Sequence, residues 1–248
     1  MNIKVFQVFH KQYLRSTASA WIYPIGVSEY HQDGFLSDSN GESISHLNKY
    51  YCELTAIYYL WKNVKCDFIG LYHYRRYLNF KLDDSIFDSL LPVIKTYDCN
   101  DEIVDNLTDR YQYELIQGYM KITDVIIPRK SILIPSIKAQ YLSVHQNEPW
   151  SEFEKALRTK YPDELNLLDY FSIYPLAPIC NIFIMKWDIF NSYCLDLFDI
   201  IDKVYSVIGS PYNAHNNRYP GFLAERFLGF WLHMNKIKYL EVPMIGLK

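Results

Sequence analysis

Residues 68–80 read FIGLYHYRRYLNF, an apolar run that ends on a histidine and two adjacent arginines set among Tyr72, Tyr74 and Tyr77. Guanidinium groups stay charged at any working pH and present a planar fork of donors that matches phosphate oxygens. His73, Arg75 and Arg76 are therefore candidates for binding a diphosphate, and the competing reading is a surface ion-pair cluster with interface tyrosines. Glu225, in PGFLAERFLGFW, is the second candidate. It is an acid in the early turns of an otherwise apolar helix, where partial burial raises a carboxyl pKa toward that of a useful general base. A Glu225–Arg226 cap or ion pair would account for the same residues without chemistry. Glu53, between Cys52 and Leu54, poses the same question on its own helix. His145 and Asn181 are weaker candidates, because a lone helical histidine or a strand asparagine is ordinarily satisfied by nearby backbone.

Other chemistries lack their signatures. The chain contains no GxGxxG, no GxxxxGK[ST], no GxSxG and no HExxH, which removes the main support for dinucleotide, P-loop and hydrolase readings. It also has no Asp-x-Asp, the usual device for holding a divalent metal against a nucleotide diphosphate; the matching place reads His73-Tyr74-Arg75. No metal cofactor is expected, and fixed cations would neutralise any diphosphate bound there. The YHYRRY stretch has the basic and aromatic interleaving of an RNA-binding surface. Lys and Arg number 25 against 28 Asp and Glu, giving a net charge of −3 with no second basic patch, so a nucleic-acid partner is not expected.

The elements that must position these residues follow from periodicity. With 248 residues, 50% hydrophobic and 21% charged, the chain has enough apolar surface for a sizeable core. Five scattered cysteines without a CxxC pair fit reduced thiols in a cytoplasmic protein. The N-terminus, MNIKVFQVFHK, alternates like a strand and lacks a signal-peptide core. The longest uncharged run, Tyr170–Met185, has 16 residues with two prolines inside it, short of the roughly 18–20 that a membrane span needs. Strands are predicted at Ile3–His10, Ile22–Val27, Phe68–Tyr72, Thr123–Ile127, Ile179–Met185 and Lys238–Val242, and Gly34–Ser45 reads as a polar loop. Helices are predicted at Tyr51–Asn63, Ile137–Gln146, Ser151–Tyr161, Trp187–Ile208 and Pro220–Asn235. In Trp187–Ile208 the acidic outer face is most simply a solvated surface. Alternating strands and helices predict one α/β domain, with a buried parallel strand whose carboxyl end carries His73, Arg75 and Arg76.

Six segments in order, NKYYCELTAIYYLWKN (48–63), DFIGLYHYRRYL (67–78), TDVIIPRK (123–130), QYLSVH (140–145), CNIFIMKWDIFNSYC (180–194) and RYPGFLAERFLGFWL (218–232), resemble the bacterial DUF4422 family. The resemblance runs from about Ile3 to Val242. It implies a single GT-A-like domain with a mixed, mainly parallel sheet flanked by helices. Residues of about 1–130 would form a nucleotide-sugar-binding half and about 131–248 an acceptor and catalytic half. Family members are regarded as glycosyltransferases of capsule, exopolysaccharide and O-antigen assembly. The implied activity is transfer of a sugar such as galactose, in pyranose or furanose form, from a nucleotide diphosphate donor to a glycan or lipid-linked acceptor. In that reading His10, Lys11, Glu53 and Arg226 hold the nucleoside and sugar. His73, Arg75 and Arg76 hold the diphosphate, Glu225 is the base of an inverting displacement, and His145 and Asn181 are secondary or acceptor-side candidates. One departure is HKQYLRSTASAWIYPIGV after the first strand, which lacks the acidic, Pro-containing stretch of many relatives and leaves donor identity open. A lipid-linked acceptor would bring such a protein peripherally to the inner face of the cytoplasmic membrane. The alternative is a non-catalytic nucleotide-sugar or glycan-binding scaffold; the oligomeric state is open.

Overall fold

The computed structural model describes residues 1–15, 19–81, 95–164, 166 and 169–248. β1 (Ile3–Phe9), β2 (Ile22–Gly26) and β3 (Leu36–Ser37) open the chain and lie side by side, all parallel. Two helices follow, α1 (Asn48–Tyr51) and α2 (Leu54–Asn63), and lead into β4 (Phe68–His73). β4 pairs parallel with β1 in the register Ile3↔Phe68 to Val8↔His73, so the two strands end together. β5 (Arg76–Leu78) turns back from β4, and β6 (Lys95–Tyr97) precedes α3 (Asp101–Thr108) and α4 (Arg110–Tyr119).

β7 (Val125–Pro128), β8 (Ser131–Ile132), α5 (Ile137–Val144), α6 (Asn147–Lys160), α7 (Asp169–Ile173) and β9 (Leu176–Ala177) begin the second half. β10 (Phe183–Lys186), α8 (Trp187–Ile208), α9 (Tyr219–Met234), β11 (Leu240–Val242) and β12 (Met244–Leu247) complete it. The main sheet runs β11-β7-β10-β4-β1-β2-β3, with β5, β6 and β12 joined beside it, and β8 and β9 make a separate two-stranded sheet. It is a mixed, mainly parallel sheet with helices against it, as the family resemblance implies, and the α/β class is the one the alternating pattern predicts.

Side-chain alternation divides the core between the two faces of the sheet. Phe6 and Val8 of β1 and Ile69 and Leu71 of β4 join the cluster formed with α2, α8 and α9, while Ile3, Val5, Phe68 and Tyr72 join the one that includes Val104, Leu107 and Ile116. Because both faces are covered, β4 reads as an unbroken apolar run rather than an alternating one. Gly70 marks the tightest approach in it: an added Cβ would lie 2.8 Å from Val5 Cγ2 and 3.0 Å from Ile184 Cγ1.

Several local expectations need correction. The helix predicted from Tyr51 is broken at Cys52, whose φ of 53° lies in the left-handed region that side chains disfavour. Ile179–Met185 is not one strand, since Cys180 (φ 75°) and Asn181 (φ 49°) are left-handed and regular pairing begins at Phe183. The loop at Gly34–Ser45 contains β3, and β12 extends the sheet past the strand predicted to be last. The acidic face of α8 is partnered: Asp196 and Asp199 take Lys160 at 2.8 and 3.0 Å, and Asp202 accepts from Tyr51 Oη at 2.7 Å.

Candidate functional site

The in-register ends of β1 and β4 bring His10 and His73 together, with ring centroids 6.3 Å apart. Tyr74 is the post on which this corner is built. Its backbone N–H continues the ladder to Val8 O at 3.0 Å, and its buried ring meets His73 at 4.2 Å, Tyr13 at 4.9 Å and His10 at 5.0 Å. Lys11 Nζ and Arg75 Cζ each lie 5.6 Å from the same ring centroid. Tyr74 thus holds Lys11 and Arg75 beside its ring.

A cavity of about 300 Å³ opens at these strand ends, lined by His10, Lys49, Cys52, Glu53, His73 and Arg218 among others. Arg218 precedes α9 and donates from Nε to Cys52 Sγ at 3.0 Å. Among the described residues, no carboxylate lies within ion-pair distance of Lys11, Arg75, Arg76 or Arg218. Arg76 begins β5, and the Arg75 carbonyl accepts from the Leu247 N–H at 2.8 Å, which anchors the backbone and leaves the side chain exposed. Cations at the carboxyl ends of parallel strands give that corner a local positive field, which is suited to an anion.

Burial first, then the charges of Arg76 and Arg75, hold the His73 imidazole down at about 3. Its Nδ1 is buried without a hydrogen-bond partner. His73 therefore serves as a neutral ring offering one donor and one acceptor, and the charge at the site comes from the arginines. His10, at the rim, is also lowered, by burial and then by Lys11 and Arg218. The His73 Cε1–H resonance should stay at its neutral position from pH 8 down to about 4.5 in an NMR titration, a range in which an ordinary histidine with a pKa near 6.5 titrates fully. With the folded value depressed, the unfolded chain takes up this proton first on acidification. The His73 contribution to stability is thus intact above about pH 6.5 and lost as pH falls toward 3, so His73→Gln should lose less stability than the parent between pH 7 and 4.5.

The cavity floor is held by the break between α1 and α2. Asn48 Nδ2 donates to Cys52 O at 2.8 Å and to Thr55 Oγ1 at 2.9 Å, and Thr55 Oγ1 donates to Asp38 Oδ2 at 2.5 Å. Asp38 is fully buried and also accepts from Ser45 Oγ at 2.6 Å and from the Ser28 N–H at 3.1 Å. Desolvation raises its pKa, against the hydrogen bonds from Ser45 and Thr55. Asp38→Ala would take the acceptor from one buried and two part-buried donors; a loss of about 2 kcal/mol is expected in urea unfolding.

The first of the two acids belongs to the same break. Glu53 precedes α2, and its Oε1 accepts from Asn181 Nδ2 at 3.0 Å; Asn181 also reaches Gly221 O at 3.4 Å and keeps a buried, unpartnered Oδ1. Two consecutive left-handed residues, Cys180 and Asn181, aim this side chain, a conformation that costs roughly 1–3 kcal/mol per residue and is concentrated at functional sites. Glu225 is 20% exposed and ion-paired to Arg226 at 2.9 Å. Burial raises its pKa above the ordinary value; Arg226 opposes this and the nearby Glu53 adds to it. Arg226 is itself buried, donating to Phe222 O and to Gln140 Oε1, both at 3.0 Å, so it orients Glu225 rather than facing the cavity. His145 lies beyond Arg226, stacked on Phe222 at 4.3 Å and beside His215 at 5.7 Å.

Of the residues singled out from sequence, the fold gathers His10, Glu53 and His73 in the cavity, with Arg75 and Arg76 beside it and Asn181 and Glu225 reached through Glu53. Sequence reasoning missed Arg218, although a cation just before a Tyr-Pro helix start was a readable sign. It also missed Asp38, which no local pattern marks. Among the described residues no group of three or more His, Cys, Asp or Glu could hold a metal ion. A larger cleft of about 810 Å³ lies at the opposite edge, beside Trp21, Asp105, Asp109 and Glu114. Its acidic lining and its place at the amino ends of β1 and β2 do not suit a diphosphate.

A family model described as "Domain of unknown function (DUF4422)" matches residues 4–236. No curated protein matches the sequence. Among solved structures, the apo form of WbbM, a bifunctional glycosyltransferase, is similar, with a TM-score of 0.83 and 25% identity. The match covers 100% of this chain and 46% of that one, so the chain spans about half the length of that enzyme.

Proposed function

The chain belongs to the DUF4422 family, and from that premise we propose that it is a glycosyltransferase using a nucleotide diphosphate sugar. The observation that carries the reading is the set of four cations, Lys11, Arg75, Arg76 and Arg218, gathered at the ends of β1 and β4 with no carboxylate within ion-pair distance among the described residues. The similarity to a glycosyltransferase structure supports it. We assign the donor as a UDP-sugar, with galactose in pyranose or furanose form the first to test, and the acceptor as a growing bacterial surface polysaccharide. The work would be done at the cytoplasmic side.

In this mechanism Glu225 takes the proton of an acceptor hydroxyl as its oxygen attacks the anomeric carbon. The bond from that carbon to the diphosphate oxygen breaks, and the configuration inverts. Negative charge develops on the leaving diphosphate, where Arg75, Arg76 and Arg218 stabilise it electrostatically. Neutral His73 adds a hydrogen bond, Glu53 and Asn181 bind sugar hydroxyls, and His10 and Lys11 contact the nucleoside. Fixed cations take the place that a divalent ion would fill.

The test is a thermal-shift panel of UDP-galactose, UDP-galactofuranose, UDP-N-acetylglucosamine and GDP-mannose, each with EDTA and with Mn²⁺. One donor at 100 times its Kd should raise the melting temperature by roughly 5–10 °C in a chain of this size, undiminished by EDTA. A shift that appears only with Mn²⁺ would end the metal-free reading. A second reading, a non-catalytic scaffold, draws on the Arg226 contact already occupying Glu225. Donor binding with no transfer to any acceptor would select it, whereas slow donor hydrolysis would select the enzyme.

A further inference from the structure

Large apolar side chains are exposed together at one tip of the molecule. Ile132 is 44% exposed, Ile134 74%, Ile173 68%, Tyr174 48% and Leu176 39%. They belong to two segments that lie side by side. Ile132 pairs with Leu176 in the small β8–β9 sheet, the Leu133 N–H meets Pro175 O at 2.6 Å, and the Ile137 N–H meets Tyr174 O at 2.9 Å. A monomer ordinarily buries such a cluster or uses it for contact.

Cations outnumber carboxylates around the tip. Residues 129–138 (RKSILIPSIK) carry three cations, residues 233–239 (HMNKIKY) carry two, residues 170–179 carry no charge, and none of the three segments has a carboxylate. The 233–239 segment adjoins the tip, with His233 6.2 Å from Tyr174 between ring centroids. Lys236 and Lys238 are exposed, and Lys130 and Lys138 meet Glu241 and Glu154 at 3.3 and 2.7 Å. With those two paired, the exposed Lys236 and Lys238 supply the local excess, in a chain whose net charge is −3.

We propose that this tip docks on an anionic lipid bilayer, with Ile134 and Ile173 entering the acyl boundary and Lys236 and Lys238 meeting the headgroups. Apolar insertion flanked by lysines is how a surface-bound protein holds to such a membrane. Among the described residues no helix is long and apolar enough to cross a bilayer, so contact through these helices is made at its surface. The topology also points the tip and the cavity the same way. β10 is antiparallel to both β4 and β7, so β7 runs parallel to β4 and delivers β8 at the same edge of the sheet as His73. From the tip α5 runs inward, and its Gln140 bonds Arg226, the partner of Glu225. The docking itself does not rest on the transferase reading, and the bilayer could hold the protein whatever chemistry the cavity performs.

Vesicle flotation tests it, using phosphatidylcholine vesicles with and without 30% phosphatidylglycerol in low and high salt. The parent chain should float with the anionic vesicles and be released by salt. Ile134→Asp with Ile173→Asp should lower partitioning more than about tenfold, since each change removes apolar surface from the acyl boundary and brings a negative charge to anionic headgroups. As a second variant, Lys236→Glu with Lys238→Glu should remove the preference for phosphatidylglycerol, at about fivefold per lysine. Both pairs lie on the surface, and unchanged circular dichroism checks that they fold. The proposal is overturned if the parent stays unbound with every vesicle, or if both variants float like it. Sedimentation showing a dimer that the Asp pair dissociates, without vesicle binding, would overturn it in favour of a second copy.

Discussion

Arg75→Ala is expected to lower sugar transfer by about 10²–10³-fold and to weaken donor binding, with the melting temperature nearly unchanged. The reason is its surroundings. The Arg75 side chain is exposed, touches the face of Tyr74 and has no carboxylate within ion-pair distance among the described residues. The fold therefore loses little when it is removed, while a diphosphate loses a charged fork. Isothermal titration with the donor found by thermal shift, beside a turnover assay, measures both quantities. Arg218→Ala is the companion, because Arg218 lines the cavity that Arg75 lies beside. Unaltered binding and turnover in Arg75→Ala would remove the diphosphate assignment.

Glu225→Gln carries the other large expected effect, a fall in turnover of about 10²-fold or more with donor affinity retained. Glutamine keeps an acceptor for Arg226, so the buried guanidinium still has a partner, and only the proton-accepting charge is lost. The raised pKa of Glu225 predicts how the parent responds to pH. The carboxylate is the active form, so the rate should rise with pH through an apparent value above the usual glutamate range and level off beyond it. That rising limb should vanish in Glu225→Gln. Glu53→Gln separates the two acids: Glu53 lines the cavity directly, and a loss of turnover confined to Glu53→Gln would move the base there. His73 cannot imitate this limb, since its ring is neutral throughout the working range.

Much of the frame is visible in local pattern. The Trp187–Ile208 helix coincides with α8, because a wide apolar stripe at helical spacing has one way to be buried. β4 and its basic end were equally legible, as a short apolar run bounded by charged residues. α3 and α4, by contrast, lie in a polar stretch whose periodicity predicts no element. Their marks are small: the side chains of Asn100 and Asp109 cap them, accepting from the N–H groups of Ile103 and Gln112, both at 2.9 Å.

Sequence by itself determined the periodic elements, the α/β class and the residue types capable of chemistry, since each depends on neighbours within a turn of helix or a few strand residues. Only the tertiary structure decided which of those residues meet. Arg218 reaches Cys52 across 166 positions, Asn181 reaches Glu53 across 128, and Gln140 reaches Arg226 across 86. It also decided that His73 is neutral and that Cys52, Cys180 and Asn181 adopt left-handed backbone, because desolvation and strain are imposed by packing from distant segments.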